Sequence, residues 1–206
     1  MALADRVGEA TRTVRPPEEV RADARMVEGR YAMHPLLLLA HALPAFFFML
    51  FGPLQFIARI RSRHIRLHRW SGRAVVVSGL CVGVSAIVMP FRFPLISGAT
   101  EAVAVLAFGI FFLFALGRAF LHIRRREIAD HREWMTRAFA VGLAIAADRP
   151  IDVAFEVFTQ MRPREHFGIG LWISLILLSL AAEAWIRHTR APAKLSNLGF
   201  GEGGRP

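Results

Sequence analysis

The chain has 206 residues, is 54% hydrophobic and carries a formal net charge of +10. Soluble helices expose one polar face, whereas here the apolar residues form long blocks that are apolar all round, separated by arginine-rich segments. That pattern excludes an ordinary soluble enzyme. The charge sits at block ends, where anionic lipid headgroups are the natural partner, and it gives no support to nucleic-acid binding.

Residues 1–30 hold six arginines and six acids without an apolar stretch, which reads as a polar N-terminal tail with room for a helix from Glu18 to Gly29. Five apolar blocks follow, at about 35–57, 74–89, 102–121, 138–158 and 168–186. A block of about 18 apolar residues is long enough to cross a bilayer as a helix. The expected fold is therefore all-α: a polytopic membrane bundle of five transmembrane helices over residues 31–187, with a flexible C-terminal tail at 188–206. The fourth block contains Asp148, Arg149, Asp152 and Glu156, with Pro150 among them. Two readings stay open there: a charged crossing, or a helix that ends near Ala147 and continues as an outer loop.

Arginine fixes the expected orientation. Arg59, Arg61, Arg63, Arg66, Arg69 and Arg73 lie between blocks one and two, and Arg124, Arg125, Arg126, Arg132 and Arg137 between blocks three and four. Excess positive charge marks the cytoplasmic side, which puts the N-terminus outside and the C-terminus inside. Trp70, Trp134 and Trp185 then fall at inner boundaries, and Tyr31 and Trp172 at outer ones, as amphipathic rings prefer. The lone cysteine, Cys81, lies in an apolar block and excludes an intrachain disulfide.

The two arginine segments repeat. A shift of 63 residues places Ile60-Arg61, Arg63, Ile65 and His68-Arg69 on Ile123-Arg124, Arg126, Ile128 and His131-Arg132. One residue of slip then places Trp70, Arg73 and Ala74 on Trp134, Arg137 and Ala138. The first four helices read as two hairpins related by an axis along the membrane normal, with His68 and His131 as mates at one depth.

Gly52-Pro53-Leu54-Gln55-Phe56, Leu67-His68-Arg69-Trp70-Ser71-Gly72-Arg73 and His131-Arg132-Glu133-Trp134-Met135-Thr136-Arg137, with His41, Arg149 and Glu183, resemble a family of predicted bacterial membrane proteins. That family is labelled domain of unknown function 2306, and the resemblance spans about residues 34–187. It implies a multi-pass protein of a bacterial inner membrane and assigns no activity. His34-Pro35 and the Leu67–Gly72 element also show a weaker similarity to b561-type di-haem membrane cytochromes, an analogy only.

Three functions remain in contention. A b-type haem needs two histidines at matched depth on facing helices. His68 and His131 meet the depth condition, His122 is a reserve partner, and His41 has no mate at its own depth. Such a protein would pass electrons to a redox partner or quinone. His64 and His68, at i, i+4, have the spacing of a helical metal pair. The second function is a proton- or ion-coupled transporter with its site at Asp148, Arg149 and Asp152, since buried charges usually pair or line a cavity. Of the other intramembrane polar residues, Gln55 is expected to donate between helices and Glu183 to pair with an inner-loop arginine. The third is a structural or regulatory protein whose Arg61, Arg63, Arg69, Arg73, Arg124, Arg126, Arg132 and Arg137 hold anionic lipid, with the histidines as interfacial residues. No Gly-x-Ser-x-Gly, phosphate loop or Cys-x-x-Cys supports a hydrolase.

Overall fold

The computed structural model describes residues 17–159 and 161–197. In order these form α1 (Pro17–Ala32), α2 (Pro35–Phe51), a 3-10 turn (Pro53–Gln55), α3 (Ala58–Arg63), α4 (Ile65–Val88), a second 3-10 turn (Met89–Phe91), α5 (Ala99–Arg124), α6 (Ile128–Thr159) and α7 (Pro163–Asn197). Pro35 and Pro163 open their helices, where a missing N–H costs nothing.

Four stretches are long and apolar enough to cross a membrane: Pro35–Gln55, Ile65–Phe91, Ala99–Arg124 and Pro163–Arg190. The 32-residue α6 has the length but carries the four charges of the fourth block. Topology makes it the fifth crossing. It leaves the arginine-rich turn after α5, packs along both α5 and α7, and ends where α7 begins on the opposite side.

Burial is inverted relative to a soluble protein. Leu36 (81% exposed), Val77 (63%), Leu180 (62%) and Phe158 (84%) face outward. Ala104, Ala115, Ala119, Ala138 and Ala144 are fully buried, with Ser71, Ser78, Ser85 and Ser174 also inside. In a bilayer, apolar bulk has no reason to hide, and small residues let helix backbones approach. The large ring that α2 brings to the centre is Phe48. It lies edge-on to Phe112 of α5, and it fills the space over Gly79 of α4 and Gly142 of α6. α2, α4, α5 and α6 meet around this ring, with α7 packed outside on α5 and α6.

The element ends differ from the apolar blocks. The first membrane helix stops at Phe51, because Gly52-Pro53 turns the chain into a 3-10 segment before 57 is reached. The second begins at Ile65 rather than 74, so most of the first arginine segment is helical. α6 passes through Pro150 to Thr159, which removes the reading in which it ended near Ala147. α7 continues beyond 187 to Asn197. At the other end, α1 is tied to the bundle by Arg30, whose guanidinium lies 2.8 Å from the buried Glu101 carboxylate. The first sixteen residues and 198–206, parts of the two expected tails, lie outside the described residues.

Candidate histidine site at the arginine-rich end

His68 is the fourth residue of α4 and His131 the fourth of α6. Both are half-buried in the first turn of a helix, facing the same end of the bundle. His131, Arg61 and Arg69 make up the charged surroundings of His68, and His122 stands beside His131. The ring of His131 is oriented by a hydrogen bond from Nδ1 to the Ala119 carbonyl at 2.9 Å. Burial pulls its pKa below the ordinary imidazole value, the Ala119 bond opposes that, and His122 adds to it.

His68 is oriented by Gln55, carried on the 3-10 turn after α2. The Gln55 amide lies between Ser71 Oγ, at 2.7 Å, and His68 Nδ1, at 3.2 Å. Turned one way, its nitrogen donates to His68 Nδ1 and to the His68 carbonyl at 3.3 Å, and its oxygen accepts from Ser71 and from the Gly72 N–H at 3.2 Å. Turned the other way, its nitrogen donates to Ser71 Oγ, but its oxygen then faces the His68 carbonyl and its nitrogen the Gly72 N–H. The Ser71 hydroxyl also donates to the Leu67 carbonyl at 2.7 Å. That bond uses its single proton, whereas the His68 carbonyl and the Gly72 N–H favour the first arrangement, in which His68 Nδ1 accepts. Gly72 makes the approach feasible, since a Cβ there would stand 3.0 Å from Gln55 Oε1. The polar contact expected of Gln55 between helices is thus formed, with α4.

His122 is buried and meets the Glu127 carboxylate at 2.5 Å through Nδ1, while its Nε2 has no hydrogen-bond partner among the described residues. His122, Glu127 and Asp130 bring three potential ligand atoms within 4.8 Å of one another. His64, the other member of the expected metal pair with His68, is the N-cap residue of α4 at φ −125 and ψ 55. His41 is far from this group in sequence and on the helix, and its Nδ1 is taken up by Ser85 Oγ at 2.9 Å.

The arginines divide into two groups. Arg63, Arg69, Arg73, Arg124, Arg126 and Arg132 are exposed and Arg61 half-buried. Arg137 turns inward instead. It grips Glu183 of α7 with two nitrogens, at 2.5 and 3.1 Å, and approaches Glu133 at 3.8 Å. Arg190 also bonds Glu133. Trp134 lies between two guanidinium groups, Arg137 at 4.7 Å and Arg118 at 5.5 Å from its ring centre. This lattice fastens α7 to α6. Beside it, Pro53, Phe56, Thr136, Phe139, Leu178 and Trp185 line an open apolar groove of about 340 Å³.

At the opposite end, Asp148 and Asp152 are 1% and 8% exposed. Arg149 is exposed and reaches Asp152 at 3.5 Å, as the i, i+3 spacing predicts. Sequence reasoning missed their partner, His166 of α7, which is buried with Nδ1 3.2 Å from Asp152 Oδ1. The available signal was the hairpin: Asp152 and His166 each lie seven residues from Thr159, at the close of α6. Placing an ionised carboxylate in a helix at this depth costs roughly 2.5–3.5 kcal/mol on insertion scales.

The model of a family described as predicted membrane protein (DUF2306) matches residues 38–186. The chain belongs to that family. No curated protein and no solved structure matches it. Within this DUF2306 chain, the matched segment contains Gln55, His68, His131 and the Arg137–Glu183 pair, and also the distal acids with His166. The anchoring helix α1 lies before it.

Proposed function

We propose that this DUF2306 protein is a membrane electron carrier that holds one b-type haem at its arginine-rich end, between His68 and His131. One observation carries the reading. The two histidines come from separate helices at equivalent positions, and each has a protein group at Nδ1. Metal-bound histidines characteristically hold their second nitrogen in such a bond, which fixes the ring and offers Nε2. The donor set fits haem iron, and haem when bound supplies a one-electron ferric/ferrous couple.

The chain's own residues do the rest. Ala119 O orients His131. Gln55 holds the His68 ring at Nδ1, and would turn its oxygen to the ring to keep the Nδ1–H tautomer when iron takes Nε2. Arg61 and Arg69 beside His68 suit the carboxylates of a porphyrin, because guanidinium pairs with carboxylate through two bonds. His122 is the reserve ligand. The groove by Phe56 and Trp185 has the apolar lining that a quinone would require as electron partner. The arginine end is taken as the cytoplasmic face of a bacterial inner membrane, from the charge asymmetry of the sequence.

Haem content tests this. Protein purified from haem-replete cells is expected to contain one haem b per chain. His68→Ala and His131→Ala are each expected to lose it while eluting as folded protein. Wild-type protein free of haem under those conditions removes the proposal.

A further inference from the structure

The ionisable group at the distal end takes no part in the histidine site. Asp148, Asp152 and Glu156 stand on successive turns of α6, and His166 from the first turn of α7 lies against them. The imidazole bridges two of these carboxylates, with Nδ1 3.2 Å from Asp152 Oδ1 and Nε2 3.8 Å from Glu156 Oε1. Asp148 and His166 are each 1% exposed. Asp148 Oδ1 and His166 Nε2 have no hydrogen-bond partner among the described residues. Glu156, whose side chain is 47% exposed, is the open end of the row.

We propose that Glu156, His166 and Asp152 form a proton path from the distal face to a proton-binding carboxyl at Asp148. Glu156 collects a proton at the surface. His166 accepts it on Nε2 and releases its Nδ1 proton to Asp152, so one proton enters the ring and one leaves. Unloading runs the same two transfers in reverse and restores the starting tautomer, with the ring held throughout in its parallel stack on Phe155. From Asp152 the proton has one helical turn to travel. Gly170 opens that step, since a Cβ there would lie 3.1 Å from the Oδ1 atoms of both Asp148 and Asp152.

The surrounding charges favour a bound proton. On α6, Arg149 reaches Asp152 but lies over the Phe167 ring and is exposed. On α5, Glu101 is spent on Arg30 of α1 and on the backbone N–H groups of Ile96 and Ser97. Arg162 and Arg164 belong to the turn into α7. Arg149 reaches Asp152 and not the deeper Asp148, so a proton on Asp148 removes a charge that burial disfavours. Ala144, Leu171 and Leu175 are buried deeper in the α6–α7 interface, and the Ser174 hydroxyl beside them is committed to the Leu171 carbonyl at 3.0 Å, so the path ends in a loading site. No residue of the haem proposal takes part, and the two stand or fall separately.

Infrared difference spectroscopy on the full chain in liposomes tests the path, stepping from about pH 8 to about pH 5 across the imidazole range. Wild type is expected to develop a protonated-carboxyl stretch, and Asp148→Asn to lose that component. Glu156→Gln and His166→Phe are expected to keep its amplitude but to slow its rise after a pH jump by at least about tenfold, within the range of a positioned acid–base group. Glu156 is exposed, so its variant leaves packing intact and decides the matter should His166→Phe fail to fold. An unchanged band in Asp148→Asn, or wild-type rates in Glu156→Gln, overturns the proposal. So does a stoichiometric divalent metal whose removal alone creates the band, which would make the cluster a metal site.

Discussion

The Gln55 amide sets the tautomer of His68. With its nitrogen on Nδ1 and on the His68 carbonyl, Nδ1 accepts, and an iron on Nε2 would require the amide to turn. Gln55→Leu is expected to weaken cofactor retention by about 10–100-fold, the usual effect of losing such an outer partner, and Gln55→Glu to strengthen it. Titration of the purified apoprotein with haem measures both. A second expectation concerns acid. The folded pKa of His131 lies below the ordinary 6.5. Its contribution to stability is therefore complete above that value and is lost as pH falls below it, where the unfolded chain takes up the proton first. Melting temperatures of the haem-free protein in detergent between about pH 7.5 and pH 5 are expected to fall for the wild-type sequence, and less steeply for His131→Gln. His68 and His131 were legible in the sequence because the repeat marks them as mates. Ser71, Glu127 and His166 were not, because their roles depend on which neighbour packing brings to them.

The helices were legible as apolar blocks, but their ends were not. Hydropathy locates the membrane, whereas α4 and α6 start at Ile65 and Ile128, among arginines. The helices therefore extend beyond the apolar core and carry His68 and His131 in ordered turns. Helix contact depends on bare Cα atoms. An Ala Cβ at position 142 would stand 2.6 Å from Phe48 Cε1. Gly142→Ala is expected to destabilise the bundle by about 1–3 kcal/mol through overpacking. At Gly117 nothing lies within 4 Å, and Gly117→Ala is expected to be neutral or to gain about 0.5–1 kcal/mol from helix propensity. Thermal melting of the two variants side by side checks the contrast. Arg137→Lys keeps the charge but loses the two-pronged grip on Glu183. With both groups partly exposed, the expected cost is about 1 kcal/mol.

On the scale of the whole molecule, composition alone established a membrane helix bundle. The fifth crossing needed the connections: α6 is too charged to be identified by hydropathy, yet it joins two helices that both cross. Single cysteines at positions 126 and 161, in a Cys81→Ala background, are therefore expected to react with an impermeant thiol reagent from opposite sides of the membrane. Reaction from one side would remove α6 as a crossing.

The most direct test of the functional account is the reduced-minus-oxidised visible spectrum of the purified protein. The account predicts a sharp alpha band of low-spin haem b, lost in both His68→Ala and His131→Ala and retained in His64→Ala. A flat spectrum from haem-replete cells, or a band that survives both substitutions, would contradict it.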